Sequence, residues 1–153
     1  MSNTTLKKQR PGPRLSEQVC FALYSTGGAV TQAYTGLLAP HNLSYPQFVV
    51  LMGLWQKDNV SVTALSAIVG LSKGTLTPIL KKLETNNFLK RNRVVGNERT
   101  LSIVLTAKGH QFAEQAEKIA AEALCATGLN QDEATQLIQL CGKIKSKLSS
   151  STS

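Results

Sequence analysis

The chain has no apolar run long enough to cross a bilayer and no signal-peptide hydrophobic region, so neither a membrane-spanning helix nor export is expected. A cytoplasmic location is the expectation. Cysteine is scarce: Cys20, Cys125 and Cys141 are odd in number and without close pairs, so a disulfide framework is excluded. In a reducing compartment such thiols are free by default, and a disulfide among them would be transient and functional. With His41 and His110 far apart, nothing has zinc-ligand spacing, so neither a metal nor a cofactor is expected. No internal repeat is present. Acidic residues are also few, nine against 17 Lys and Arg, for a formal net charge of +8.

That excess is localised. Residues 59–106 hold seven Lys/Arg against two Glu, and residues 1–14 hold four Lys/Arg and no acid. Everything else has six basic and seven acidic residues, close to neutral. Lysines spread evenly for solubility would not give this split; a polyanion-binding surface would. At 153 residues the chain is one domain's worth, enough for a real core.

The basic segment is also the one with the clearest pattern. Leu76, Ile79, Leu80 and Leu83 fall at i, i+3, i+4 and i+7, one apolar face of a helix whose other face carries Lys73, Thr75, Thr77, Lys81 and Lys82. Ser72 is its N-cap, directly after a Val69-Gly70-Leu71 turn. Upstream, Val62, Leu65, Ile68 and Val69 give a shorter helix, and two helices joined by a tight Gly-containing turn form a helix-turn-helix. Downstream, residues 91–95 and 100–105 read as strands around Gly96-Asn97, a hairpin carrying Arg91, Arg93 and Arg99. Such a helix suits a major groove, and an arginine-tipped hairpin suits the adjacent phosphates or minor groove. An ordinary helical hairpin with a solvated basic face is the bland alternative. Pro78 lies inside the recognition helix and removes the bond to the Gly74 carbonyl, so a bend or a loosened first turn is expected.

Helices flank this unit. Residues 1–14, with Pro11 and Pro13, read as a basic arm that is either a disordered tail or an extra phosphate contact. A long helix is expected from Leu15 to about Leu38, capped by Ser16 and apolar on several sides through Val19, Phe21, Leu23, Val30, Tyr34, Leu37 and Leu38. A helix apolar all round is buried between two bodies, and here the second body is expected to be another copy. Gly27-Gly28 in mid-helix costs about 1 kcal/mol per glycine relative to Ala, which close helix contact or a local bend would explain. A second helix runs over residues 44–56, with Pro46 in its first turn and a Phe48, Leu51, Met52, Trp55 stripe. Thr106 caps a third long helix to about Thr127, with Phe112, Ala116, Ile119 and Ala123 on one side. A last helix, from about Gln131 to Leu148, is expected to bury Leu137, Cys141, Ile144 and Leu148, before a frayed serine-rich end at 149–153. The fold class is thus mainly α with a small β-hairpin wing: a winged helix-turn-helix over 59–106, between dimerisation helices at 15–58 and 107–148.

The thiols differ in setting. Cys20 and Tyr24 share a helix face, while Tyr34 has nearly the same angle but lies about 21 Å further along the axis. Only a twofold mate running the other way could bring Tyr34 to Cys20, with Tyr45 joining from the next helix. A thiol near a helix N-terminus among phenolic donors has its thiolate favoured; alternatively Cys20 is a small core hydrophobe and the tyrosines are dimer packing. Cys125 is rotated by roughly 200° from the Phe112 stripe and sits near a helix end, whereas Cys141 lies on an apolar face. Cys125 is therefore the better candidate for a second, resolving thiol.

Several stretches resemble the multiple antibiotic resistance regulator (MarR) family, and within it the organic hydroperoxide resistance regulator (OhrR) branch. They are Leu15-Ser16-Glu17-Gln18-Val19-Cys20-Phe21-Ala22-Leu23-Tyr24-Ser25-Thr26, Ala29-Val30-Thr31-Gln32-Ala33-Tyr34, Leu43-Ser44-Tyr45-Pro46-Gln47, Gly74-Thr75-Leu76-Thr77-Pro78 and Glu98-Arg99. The resemblance implies a homodimeric repressor, not an enzyme, that binds double-stranded operator DNA and is inactivated by an organic hydroperoxide. It implies that Cys20 is the peroxide sensor, that Tyr24, Tyr34 and Tyr45 surround it, and that Cys125 of the partner subunit is the resolving cysteine. Asn97 stands where the family wing has Asp, Ser72-Lys73 replaces Asp-Ser, and Gly27-Gly28 replaces Ser-Arg. A repressor released by a small aromatic ligand, and a thiol peroxidase, are the alternatives.

Overall fold

The computed structural model describes residues 12–94 and 96–150, without the side chains of Glu98 and Arg99. Of the expected features, the basic arm over residues 1–11, Val95, the Arg99 guanidinium and the final residues 151–153 lie outside that description.

A single 3₁₀ turn, Leu15–Glu17, precedes α1 (Val19–Leu38). The expected start at Ser16 is corrected: Ser16 lies inside the 3₁₀ turn, and Gln18, extended at φ −95° and ψ 117°, is the residue before α1. The Gln18 amide donates back to the Arg14 carbonyl at 3.2 Å, which favours this separate turn over a longer helix. A 3₁₀ turn, Ala39–His41, and left-handed Asn42 lead into α2 (Tyr45–Gln56). The start of α2 is fixed by a capping box, in which the Gln47 N–H donates to Ser44 Oγ and the Ser44 N–H donates to Gln47 Oε1 at 2.9 Å.

The next unit is the helix-turn-helix. A short strand β1 (Val60–Ser61) runs into α3 (Val62–Val69), capped by Ser61. Gly70, at φ 69°, ends α3 in the left-handed conformation that glycine adopts without a Cβ penalty. Ser72 then caps α4 (Lys73–Thr85) through the Thr75 N–H at 3.2 Å. The loosened first turn expected ahead of Pro78 is not seen: Ser72 caps it, the Leu76 N–H donates to the Ser72 carbonyl at 2.9 Å, and α4 continues as one helix through the proline. Pro78 is exposed, so the Gly74 carbonyl it leaves unpaired faces a solvated surface.

Strands β2 (Leu89–Val94) and β3 (Asn97–Leu105) form the wing. The hairpin was legible, but its second strand starts three residues earlier than expected, and β1 adds to β3 to give the antiparallel order β1-β3-β2. A register shift between Arg93 and Val94 lets Val94 pair with Asn97 at the tip. Two residues of β1 carry too little pattern to be seen in sequence; Val60 pairs with Ile103 and is buried with it.

The chain closes with α5 (Ala107–Ala126), capped by Thr106, and α6 (Gln131–Ser150). Phe48, Leu54, Leu76, Leu83, Phe88 and Ile103 are at most 2 % exposed and bind α2, α4 and the sheet into one core. Full burial of each such side chain contributes roughly 1.5–3 kcal/mol. Phe112 extends this core into α5, edge-on to Phe88 at 5.4 Å.

The terminal helices are left uncovered. Val19 is 65 %, Leu140 58 % and Leu148 65 % exposed. The expected burial of Leu137 and Leu148 by α6 is therefore corrected for a single chain: only Ala134 of that helix is buried, and its apolar stripe faces an open groove against α1. Gly27 and Gly28 sit in an unbroken helix with open space where a Cβ would be, so no close contact within the chain accounts for them.

Candidate nucleic-acid interface and thiol site

Helix α4 presents the groove-facing candidates. Its apolar face is spent on the core through Leu76, Leu80 and Leu83, so Lys73, Thr75, Thr77, Lys81 and Lys82 all stand exposed. The small polar groups are held in place: Thr75 Oγ1 lies 2.9 Å from Ser72 Oγ, and the Thr77 hydroxyl donates to the Lys73 carbonyl at 2.8 Å. Short, fixed acceptors flanked by cations on an exposed helix suit base edges lying between phosphates. Lys73 also borders a cleft of about 230 Å³ between the starts of α3 and α4 and Thr100 of the wing.

In the wing, Arg93 is exposed and Arg91 is not free. Arg91 donates from Nε to Glu84 Oε2 at 2.7 Å, its Nη2 lies 2.6 Å from the same oxygen, and its backbone N–H donates to Glu84 Oε1 at 2.9 Å. The hydrogen bond from the Arg91 guanidinium holds the Glu84 carboxyl below its usual range, against a smaller opposing effect of burial. Sequence reading grouped Arg91 with the DNA-binding arginines and missed this pairing. The available signal was an acid in the last turn of the helix seven residues before a strand arginine.

A second set of polar contacts locks the winged unit to α5. Asp58 Oδ1 accepts the Leu105 N–H at 2.9 Å, and Asp58 Oδ2 lies 3.3 Å from His110 Nε2. The Trp55 indole N–H donates to the Gly109 carbonyl at 3.0 Å.

The thiol candidates are split within one chain. Cys20 and Tyr24 are exposed on α1, Tyr24 at 83 %. Tyr34 and Tyr45 come together instead, with ring centroids 4.9 Å apart, and Tyr34 also packs on Phe48 at 5.7 Å. Burial, and then the neighbouring Tyr45, raise the Tyr34 phenol above its ordinary value, so it remains a neutral O–H donor at physiological pH. Cys125 is exposed near the end of α5. Cys141 is partly buried and lines an apolar groove of about 750 Å³ with Val19, Leu23 and Val30 of α1 and Leu140 and Ile144 of α6. Among the described residues no group of His, Cys, Asp and Glu is arranged to hold a metal ion, and no single helix is long and apolar enough to cross a membrane.

A helix-turn-helix with a wing, a cationic recognition face and a capped, rigid scaffold behind it defines a winged-helix DNA-binding regulator. Comparison with known proteins agrees. Residues 32–121 match the transcriptional regulator SarA/Rot family. The chain is 37% identical to the HTH-type transcriptional regulator TtmR of Methylorubrum extorquens, over 88% of this chain and 69% of that protein. Reduced AbfR bound to DNA superposes with a TM-score of 0.78 at 28% identity, covering 92% of this chain and 96% of that one. The disulfide form of the same protein, known from Staphylococcus epidermidis, matches less well at 0.64. A MarR-family regulator from Rhodococcus sp. RHA1 shares the fold at TM-score 0.78 and 21% identity, over 87% of this chain and 96% of that one. The chain belongs to the SarA/Rot family of transcriptional regulators and has the MarR-type winged-helix fold. It is a DNA-binding transcriptional regulator.

Proposed function

We propose that the protein is a homodimeric repressor of the OhrR type whose hold on operator DNA is set by oxidation of Cys20. The observation that carries this reading is an exposed thiol on α1, a helix whose apolar side chains one chain leaves uncovered. A second copy laid along α1 and α6 covers that surface and brings the Tyr34–Tyr45 pair of one protomer toward Cys20 of the other. In the reduced dimer, two α4 helices enter successive major grooves about 34 Å apart. Exposed Lys73, Lys81, Lys82 and Arg93 contact phosphate, and Arg99 reaches an adjacent groove.

An organic hydroperoxide transfers its terminal oxygen to the Cys20 thiolate, giving a sulfenic acid and the corresponding alcohol. The Cys125 thiol of the partner subunit then attacks that sulfur, releasing water and forming an intersubunit disulfide. Such a bond needs Cα atoms within about 7 Å, so α1 and the partner's α5 must shift. Because the winged unit is locked to α5 through the Asp58–His110 and Trp55–Gly109 contacts, it moves with that helix and the spacing of the two α4 helices changes. Support comes from AbfR, whose structures include reduced, overoxidised and disulfide forms, with the present chain closer in shape to the reduced, DNA-bound one.

The test is a titration of DNA binding with cumene hydroperoxide, comparing wild type with Cys20→Ser. Wild type is expected to release DNA near one equivalent per thiol, and the variant to stay bound. Release of DNA by the variant refutes the sensor role and favours a ligand-released repressor. Many turnovers of hydroperoxide per thiol in the presence of a reductant identify a thiol peroxidase instead.

A further inference from the structure

The basic segment contains an acid whose position needs explaining. Glu84 sits in the last turn of α4, one helical turn beyond Leu80 and Lys81, in a unit that must approach a polyanion. Left free there, a carboxylate would only repel phosphate. It is not free: both oxygens are engaged by Arg91, one by the guanidinium and one by the backbone N–H. The pair is about a quarter to a third exposed, so solvent weakens it without dissolving its geometry. Arg91 is itself fixed in β2, opposite Ile103, which is fully buried. The chain turns between them at Asn87, left-handed at φ 61°, and Phe88 anchors that turn in the core.

We propose that Glu84 and Arg91 form a positioning clamp that fixes the wing against the recognition helix, and that Arg91 is not a phosphate contact. Three bonds from one carboxylate to one strand residue tie the angle of the hairpin to α4. Exposed Arg93, two residues on and on the same face of β2, is thereby aimed by a group that never touches DNA. The inference rests on DNA binding alone and is independent of the thiol chemistry.

The experiment measures binding of the reduced, full-length chain to a 30-base-pair duplex that the protein itself selects from a random pool, across a range of salt concentrations. The clamp and the contact predict opposite signs for Glu84→Gln. Removing an acid near DNA and releasing a cation strengthens binding if Arg91 is a phosphate contact; losing the clamp weakens it, on the order of fivefold. Arg91→Ala is expected to weaken binding by a similar factor with the salt slope unchanged, and the double variant to lose no more than either single one. Arg91→Lys keeps the charge but not the fork, so it is expected to behave like the alanine variant. Tighter or unchanged binding by Glu84→Gln, a near-normal Arg91→Lys, or a slope shallower by about 0.9 in Arg91→Ala overturns the clamp.

Discussion

A methyl group at Gly109 would sit 2.2 Å from the Phe88 carbonyl oxygen and 3.0 Å from a Leu105 methyl. Backbone cannot retreat as a side-chain tip can, so this glycine sets how closely α5 approaches the root of the wing. Gly109→Ala is expected to destabilise the fold by about 3 kcal/mol, read as a lowered urea midpoint; a change below about 0.5 kcal/mol would contradict the packing. The Trp55 bond to the same residue's carbonyl is worth less: Trp55→Phe is expected to cost about 1 kcal/mol in the same assay, plus lost ring area. Single residues were the least legible scale in the sequence. Lys73, Thr75, Thr77, Lys81 and Lys82 could be placed because helical periodicity decides which of them face outward. Arg91 could not, since only the turn at Asn87 determines that its guanidinium meets Glu84 and not solvent. Gly109 carried no signal, because its partner is a carbonyl 21 residues earlier.

Elements are governed by local rules, and here the sequence was most informative. Ser72 and Thr106, legible as caps, each cap the helix that follows, and the structure adds Ser44 and Ser61 as caps of two more. Ser72→Ala is expected to lower stability by about 1 kcal/mol and to weaken DNA binding more than that loss explains, because the first turn of α4 carries Lys73 and Thr75. The failures were also local. Ser16 looked like a cap, but Gln18 breaks the helix behind it; β1 was too short to show a pattern. The clamp on α4 makes a pH prediction. The Glu84 carboxyl is held low in the folded state, so its stabilisation is complete above the unfolded glutamate value and is lost as pH falls through the lower folded one. Wild type is therefore expected to lose stability more steeply than Glu84→Gln on acidification from about pH 5 to 3, followed by urea unfolding. Parallel curves for the two proteins would show that the pair adds nothing in solution.

At the scale of the whole molecule, the apolar surface of α1 and α6 is more than one chain can use. Sequence periodicity indicated this for α1, which is apolar on several sides. For α6 it left the cover open, because a stripe of Leu137, Cys141, Ile144 and Leu148 reads the same whether its cover is the same chain or another. If a second copy fills the groove, Leu140→Glu is expected to give monomers by sedimentation and to weaken DNA binding on the order of a hundredfold, because paired half-sites are no longer engaged together. A variant that remains dimeric would place the interface elsewhere. The thiol assignments belong to this scale too, since neither Cys20 nor Cys125 finds its partner within one protomer's described contacts.

The most direct measurement is non-reducing electrophoresis after one equivalent of cumene hydroperoxide, run on wild type, Cys20→Ser and Cys125→Ser beside a DNA-binding assay of the same samples. The expected result is a covalently linked, DNA-released dimer in wild type alone, reversed by dithiothreitol. A linked dimer that persists in Cys20→Ser, or release of DNA by that variant, would contradict control of DNA binding through Cys20.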